Sequence, residues 1–190
     1  MRIKPVNKKA RDMKKKLTGS HELVEAVKRG NLEKARNLLK ANPLAITSCD
    51  MKGNKAGLAH LAVDNKDFKM LKLLVEYKVD FEVEDADGMT PLYYAIEHKD
   101  VELTQFLIDQ GVNLDHRDSQ NRSCVYWAAS CGEVSNLKLL LDVGCDPNIK
   151  SRLGRTAISK ACWNGFIDIC RVLLETGKIK IDEPDNNGRT

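Results

Sequence analysis

Apolar residues recur along this chain at the spacing of short amphipathic helices that come in pairs. The second helix of each predicted pair carries an apolar triplet. The triplets are Leu73-Leu74-Val75, Phe106-Leu107-Ile108, Leu139-Leu140-Leu141 and Val172-Leu173-Leu174, and they recur every 33 residues. A regular step of this length is typical of repeat architectures, in which one helix pair cannot bury its apolar face alone and stacked pairs share a core.

Other positions of the unit keep the same 33-residue step. They are Thr90, Ser123 and Thr156; Ala62, Ala95, Ala128 and Ala161; and Gly111, Gly144 and Gly177. Thr and Ser are preferred helix N-caps, and Pro91 after Thr90 suits the first helical position. The alanines allow neighbouring helices to approach closely. The glycines favour a helix end with positive φ.

The motif Thr90-Pro91-Leu92-Tyr93-x-Ala95 resembles the Thr-Pro-Leu-His-x-Ala hallmark of ankyrin repeats. The 33-residue period and the ending from Leu140 to Asp146 agree with that family. The resemblance covers residues 20–190. It implies an all-α ankyrin-repeat solenoid of stacked helix-turn-helix units, with β-turn or hairpin loops between them.

On this register the chain divides into a basic N-terminal arm and an array of repeats. The arm is 1–19, and the repeats span about 20–49, 50–82, 83–115, 116–148 and 149–181, with a partial repeat at 182–190. The first repeat is predicted to be a cap with helices Glu22–Arg29 and Leu32–Lys40. The second contains the family-type His60 and an entry loop about three residues longer than the pattern. Since 185–190 read as the opening of another repeat, we expect the array to continue beyond residue 190.

Composition argues against membrane insertion and against metal chemistry. No apolar run reaches the roughly 18–20 residues that span a bilayer, and no apolar stretch follows the basic N-terminus. We therefore expect a soluble protein of the cytoplasm, with the nucleus as the alternative. The six cysteines form no C-x-x-C pair, so we predict reduced thiols with no metal and no cofactor. Cys124, Cys162 and Cys170 are expected in the core.

The net charge of +4 is unevenly distributed. Residues 1–16 carry eight basic side chains and one acid, so the remaining chain is mildly acidic. The arm has three interpretations: a nuclear import signal, a contact with an acidic polymer such as nucleic acid or an acidic protein, or a solvated leader. The predicted contacts to an acidic polymer are Lys8, Lys9, Arg11, Lys14, Lys15 and Lys16.

The resemblance also implies which residues contact a partner: those of the turns and those just before the glycine in mid-unit. The predicted set is Met89, Glu97, His98, Gln120, Arg122, Ser130, Cys131, Arg152, Leu153, Arg155, Trp163 and Asn164. Trp163 beside arginines has the composition of an interface hot spot, and the alternative is that it packs on a further repeat. Trp127 is expected to pack between repeats. The turns change from acidic in the third repeat to basic in the fifth, which suggests a partner of matching polarity.

No catalytic motif is recognisable in the sequence: it has no phosphate-binding Gly loop, no Gly-x-Ser-x-Gly and no His-Glu-x-x-His. We therefore predict a non-enzymatic module that scaffolds or binds other proteins through a concave surface. One alternative is the recruiting or regulatory part of a larger enzyme, such as a nuclease, kinase or ubiquitin ligase. Another is association with nucleic acid or another acidic polymer through the arm.

Overall fold

The computed structural model describes residues 20–50 and 53–190, which fold as two compact units that divide between Asp80 and Phe81. Within these residues the regular structure is helical. The helices are α1 (20–28), α2 (Leu32–Ala41), a 3-10 helix (Pro43–Thr47), α3 (Leu58–Asp64), α4 (Phe68–Glu76), α5 (Pro91–Glu97), α6 (Val101–Asp109), α7 (Cys124–Cys131), α8 (Val134–Asp142), α9 (Ala157–Asn164) and α10 (Ile167–Glu175). They confirm the predicted all-α architecture of helix pairs.

The N-terminal unit contains α1 to α4, and polar side chains fix its helix ends. The amide of Lys34 donates to Asn31 Oδ1 (3.0 Å) at the start of α2, and the amide of Met70 donates to Asp67 Oδ1 (3.0 Å) at the start of α4. The Asn65 side chain joins the two helix pairs, because its Nδ2 donates to the carbonyl of Val27 at 3.0 Å. An exposed polar side chain therefore adds hydrogen bonds between the two helix pairs to their apolar stacking.

The C-terminal unit contains α5 to α10, and its first helices lie side by side. Helix α7 packs against α5 on one side and α9 on the other. The alanines at the shared position, Ala95, Ala128 and Ala161, are all fully buried. Their small side chains let the helices approach closely, which is the role that the sequence pattern predicted.

The predicted N-cap residues precede the first helices, but their bonds differ. Ser123 Oγ accepts from the amide of Tyr126 at 3.2 Å, and Thr156 Oγ1 accepts from the amide of Ser159 at 3.4 Å. Thr90 holds the cap position with extended backbone, yet its side chain makes no cap hydrogen bond. The predicted residue thus holds the cap position in each case, and its side chain accepts a cap hydrogen bond in two of the three.

The glycines that end the second helices lie one residue beyond the cap. Gly111, Gly144 and Gly177 have φ of 78°, 95° and 65°, and the C-cap of α6 is Gln110, immediately before Gly111. In the second repeat Lys78 takes this conformation with φ of 59°. Glycine is therefore favoured at this position by its backbone freedom but is not required.

The third helical position of the first helix shows how the hallmark histidine works. His60 is fully buried, and its Nδ1 accepts a hydrogen bond from the amide of Gly57 at 3.1 Å. Ser159 does the same for Thr156 in the fifth repeat, through Oγ at 3.0 Å. Both side chains satisfy a backbone donor that the helix leaves without an internal partner.

The cysteines divide between core and surface. Cys124 and Cys145 are buried with their sulfur atoms 3.9 Å apart. Cys162, predicted to be in the core, is exposed, and Cys170 is half-buried 3.5 Å from it. The prediction for Cys162 was wrong, because its side chain lies on a solvent-exposed face of α9 even though its sulfur contacts Cys170 of α10.

Candidate functional site

The three turns that precede the first helices of the C-terminal unit, and a fourth turn that follows α10, form one continuous edge. These turn tips are residues 85–89, 118–122, 151–155 and 185–189. Each is closed by a backbone bond from its first amide to its last carbonyl, at 3.0, 3.2, 2.9 and 2.8 Å in chain order. Adjacent tips are joined as well, since the amide of Arg152 donates to the carbonyl of Gln120 (2.8 Å) and that of Asn186 to Leu153 (3.1 Å). The edge is therefore a fixed surface.

Buried aspartates organise three of the tips from inside. Asp118 Oδ1 accepts from the amides of Gln120 and Arg122, both at 2.9 Å, and its Oδ2 accepts from Arg122 Nε at 2.6 Å. Asp85 and Asp185 accept from the equivalent amides in their own tips. An Asp at this position is the usual way to hold a tight turn through its own side chain.

Trp127 fastens one tip to the helix beneath it. Its indole Nε1 donates to Asp118 Oδ2 at 3.0 Å, the Arg122 guanidinium lies 4.6 Å from its ring centre, and its ring meets that of Tyr93 edge-on at 6.3 Å. Tyr93 belongs to the third repeat and Trp127 to the fourth. The expectation that Trp127 packs between repeats agrees with these contacts, although the side chain is only partly buried.

Beside this edge lies a cleft of about 280 Å³ between the turn tips and the first helices of the fourth and fifth repeats. We call it the basic cleft. Its lining is Gln120, Arg122, Tyr126, Ser130, Ser151, Leu153, Arg155 and Lys160. Five of these residues, Gln120, Arg122, Ser130, Leu153 and Arg155, belong to the set predicted from the sequence. The lining contains three cationic side chains and no acidic one.

Trp163 lies at the rim of this region on α9 and is 67% exposed. The guanidinium of Arg155 lies 5.2 Å from its ring centre and that of Arg189 lies 5.5 Å away, so the indole is flanked by two cations. Arginine over an indole face is a favourable arrangement that also fixes the ring orientation. Two interpretations of Trp163 followed from the sequence: contact with a partner protein, or packing on a further repeat. Both require the indole to be exposed among the described residues, as it is.

The remaining predicted residues fall into two groups. Arg152 is exposed on the tip next to Leu153, and Asn164 Nδ2 donates to the carbonyl of Ser130 at 3.2 Å, which gives Asn164 a structural bond between repeats. Met89, Glu97, His98 and Cys131 do not line the basic cleft. Burial raises the pKa of Cys131, and the charge of Glu97 raises it further, so this thiol is less reactive than an open one.

Sequence reasoning missed three lining residues: Tyr126, Ser151 and Lys160. Burial raises the pKa of Tyr126, while Arg155 and Arg122 oppose that rise and a hydrogen bond to Ser151 lowers it. Lys160 lies where Trp127 lies in the preceding repeat, and its Nζ donates to Asn164 Oδ1 at 3.1 Å. Lys160 stands 33 residues after Trp127, whose side chain contacts a turn tip. This equivalence was the one sequence signal that could have placed Lys160 in the cleft.

A second depression, of about 570 Å³, occurs in the N-terminal unit. It is wider and shallower than the basic cleft, and it is lined by residues 28–30 and 65–69. Asp67 in its lining caps α4 and is committed to the amide of Met70. The depression contains none of the predicted contact residues.

Comparison with known proteins decides the family. A family model described as ankyrin repeats (3 copies) matches residues 23–118, 59–151 and 125–190, which together extend over most of the chain. The chain belongs to the ankyrin-repeat family. Its ankyrin repeats indicate a protein–protein interaction module.

A Rickettsia bellii (strain RML369-C) protein that bears the name of an ankyrin repeat protein is 35% identical over 74 residues. The match takes in 37% of this chain and 44% of that relative, so less than half of the relative is represented.

Two further observations bear on the site. No helix among the described residues is long and apolar enough to cross a membrane. Nor do those residues bring together three or more His, Cys, Asp or Glu side chains able to hold a metal ion.

The predicted acidic-polymer contacts Lys8, Lys9, Arg11, Lys14, Lys15 and Lys16 lie outside the described residues. Binding of an acidic polymer by the arm, residues 1–19, therefore remains a prediction from charge alone.

Proposed function

We propose that this ankyrin-repeat protein binds a partner protein at the basic cleft and along the neighbouring turn tips, with Trp163 and Leu153 as its apolar contacts. The observation that carries the proposal is the coincidence of three features on one surface. They are a cleft between rigid tips, a local excess of cations, and two large apolar side chains exposed beside it, Leu153 at 58% and Trp163 at 67%.

Rigidity supports this assignment. Bonds between adjacent tips hold the edge in one conformation, so a partner does not have to order it on binding. Tryptophan and arginine are enriched among residues that carry most of the free energy of protein association. Leu153 and Trp163 are surrounded by polar groups, which is the arrangement expected of an interface centre with a polar rim.

The test is a quantitative pull-down with the full chain as bait. The double variant Trp163→Ala with Arg152→Ala is expected to weaken capture of the partner at least about tenfold, since each removes an exposed contact of a type that dominates interfaces. The matched control is Val143→Ala with Lys138→Ala, which removes one exposed apolar and one exposed basic side chain elsewhere. If the control and the double variant capture the partner equally, the proposal is wrong.

The two other predicted functions are supported by the sequence alone. Neither recruitment within a larger enzyme nor association of the basic arm with an acidic polymer draws on a contact among the described residues. Substitution of the arm lysines by glutamine tests the second directly: a strongly salt-dependent association would be lost, while capture through the basic cleft would persist.

A further inference from the structure

An arginine occupies the same position in three successive turn tips of the C-terminal unit. Arg122, Arg155 and Arg189 each supply the carbonyl that closes the tip. Arg122 and Arg155 directly precede the helix N-caps Ser123 and Thr156. We call these three residues the arginine row. The equivalent residue in the tip of the third repeat is Met89, so the row begins with the tip of the fourth repeat.

The row presents its charge outward while the matching carboxylates are covered. The side chains of Arg122, Arg155 and Arg189 are 27%, 25% and 46% exposed. Their acidic neighbours, Asp118 and Asp185, have side chains that are 0% and 7% exposed. A ligand approaching this edge therefore meets cations before it meets carboxylates.

The cations of this surface outnumber the carboxylates that contact them. Arg122 bonds to Asp118, whereas Arg155 (3.7 Å) and Arg189 (2.7 Å) share Asp185. Lys160 contributes a further cation through the basic cleft. Three arginines thus meet two carboxylates, and Lys160, which bonds to Asn164, is a fourth cation. Arg122 contacts Asp118 through Nε, and a guanidinium carries four further N–H donors that suit a second carboxylate.

The spacing of the row suits an extended chain. Packed helices lie roughly 8–10 Å apart, and consecutive tips are offset by one such step. An extended peptide advances about 3.3 Å per residue, so about three residues pass each tip. Carboxylates on every third residue would therefore meet successive arginines.

The apolar side chains beside the row point to a peptide and not to nucleic acid. Leu153 and Trp163 are exposed next to the arginines, so they can contact apolar side chains interspersed with acidic ones. The chain outside residues 1–16 has a small net negative charge, which disfavours a long polyphosphate and matters less to a short peptide with local contacts.

We infer that the arginine row and Lys160 bind an extended acidic peptide segment of the partner, with Asp or Glu at about every third residue and apolar residues between them. This inference rests on the proposed function, because it uses the same surface and adds the chemistry of its partner.

The experiment is a selection of displayed random peptides on the full chain. The bait carries Lys8, Lys9, Arg11, Lys14, Lys15 and Lys16 replaced by Gln, so that the predicted acidic-polymer contacts of the arm do not enrich acidic sequences. We expect the selected peptides to be rich in Asp and Glu at a three-residue spacing. A synthetic peptide of the consensus should then lose at least about tenfold in affinity with Arg155→Gln and with Lys160→Gln, but should keep its affinity with Lys138→Gln.

Arg155 also contacts Asp185 and Trp163, so a far-ultraviolet circular dichroism melt is recorded for each variant, and Lys160→Gln serves as the variant farther from those contacts. A neutral or basic consensus whose binding still depends on Trp163 overturns the inference and leaves the proposed function standing. Selected peptides indifferent to both Trp163→Ala and Leu153→Ala overturn the proposed function itself. Displacement of the acidic peptide by a single-stranded oligonucleotide at equal concentration overturns the assignment to a peptide.

Discussion

The hydroxyl of Tyr93 lies 2.9 Å from the backbone carbonyl oxygen of Arg122, and 2.8 Å from that of His116. Tyr93 occupies the hallmark histidine position of the third repeat, and these carbonyls belong to the turn region of the fourth. A side chain that satisfies its own helix in the second and fifth repeats instead reaches forward here, so it ties the third repeat to the tip that begins the arginine row.

This bond predicts the effect of Tyr93→Phe. The substitution leaves two carbonyls of a half-buried region without this donor, and we expect the free energy of unfolding to fall by about 1–2 kcal/mol. Urea denaturation followed by circular dichroism measures the change. The matched control is Tyr77→Phe, since the hydroxyl of Tyr77 has no hydrogen-bond partner among the described residues. Equal effects of the two variants would contradict the role assigned to the Tyr93 hydroxyl.

Gly154 and Gly165 allow two effects of a glycine substitution to be measured separately: backbone strain and steric contact with a neighbouring turn tip. Gly154 and Gly165 have nearly the same φ, 75° and 74°. A Cβ on Gly154 would lie 2.8 Å from the backbone nitrogen of Asn186, whereas a Cβ on Gly165 would meet nothing within 4 Å. Gly165→Ala should therefore cost only the left-handed backbone strain, about 1–2 kcal/mol. Gly154→Ala should cost more and should also weaken the bond between the amide of Asn186 and Leu153.

Thermal denaturation of both glycine variants gives the comparison. An additional loss of protection of the Asn186 amide in hydrogen exchange is expected for Gly154→Ala alone. A Gly165→Ala variant that is as destabilised as Gly154→Ala would show that contact between tips contributes nothing measurable.

The half-buried Cys170 thiol should react slowly at neutral pH. Burial and, after it, the hydrogen bond with Cys162 together raise the pKa of the Cys170 thiol to about 11. Since the thiolate is the reactive form, alkylation of Cys170 should rise about tenfold per pH unit through the alkaline range below that pKa. Iodoacetamide labelling followed by mass spectrometry measures the rate. Cys162→Ser should lower the pKa of Cys170, because it removes the thiol whose hydrogen bond raises that pKa. In the unaltered chain, an alkylation rate that levels off near the usual thiol pKa of 9.0 would contradict the prediction.

Asp185 makes the last turn tip sensitive to acid. The hydrogen bond from the Arg189 side chain and those from the amides of Arg189 and Asn187 together lower the pKa of the Asp185 carboxyl from 3.8 to about 2, despite the opposing effect of burial. The folded tip therefore binds the proton less readily than the unfolded chain does. Its stabilising contribution is present above about pH 4 and is lost as the pH falls towards 2.

Titration of the Asp185 carboxyl by nuclear magnetic resonance locates that pKa. Arg189→Gln should move the midpoint upward, towards 3.8, because it removes the largest lowering cause. An unchanged midpoint in the variant would show that Arg189 does not hold the carboxylate.

The repeat itself was predictable because its signals are local and recur. Ala95 and its equivalents mark close helix contacts, and Gly111 and its equivalents mark a backbone conformation, so each repetition strengthened the prediction. The extra length of the second entry loop was visible as well. The left-handed residues Gly30 and Lys66 are 36 positions apart, against 33 between Lys66 and Lys99.

The lining of the basic cleft was less predictable because it depends on which side chains of different repeats face one another. Tyr126 and Ser151 occupy positions that serve the core or a turn in other repeats, so nothing in their own sequence context pointed to a cleft. The exposure of Cys162 was missed for the same reason, since a small apolar residue on a helix fits a core and an open face equally well.

The most direct test of the proposed binding surface is site-specific photo-crosslinking. A photoreactive amino acid is placed at Leu153, beside the basic cleft, and separately at Val143, an exposed apolar position on another face. We expect partner crosslinks from position 153, mapped by mass spectrometry to an acidic segment of the partner, and few or none from position 143. Crosslinks that form at position 143 and not at position 153 would contradict the proposed binding surface.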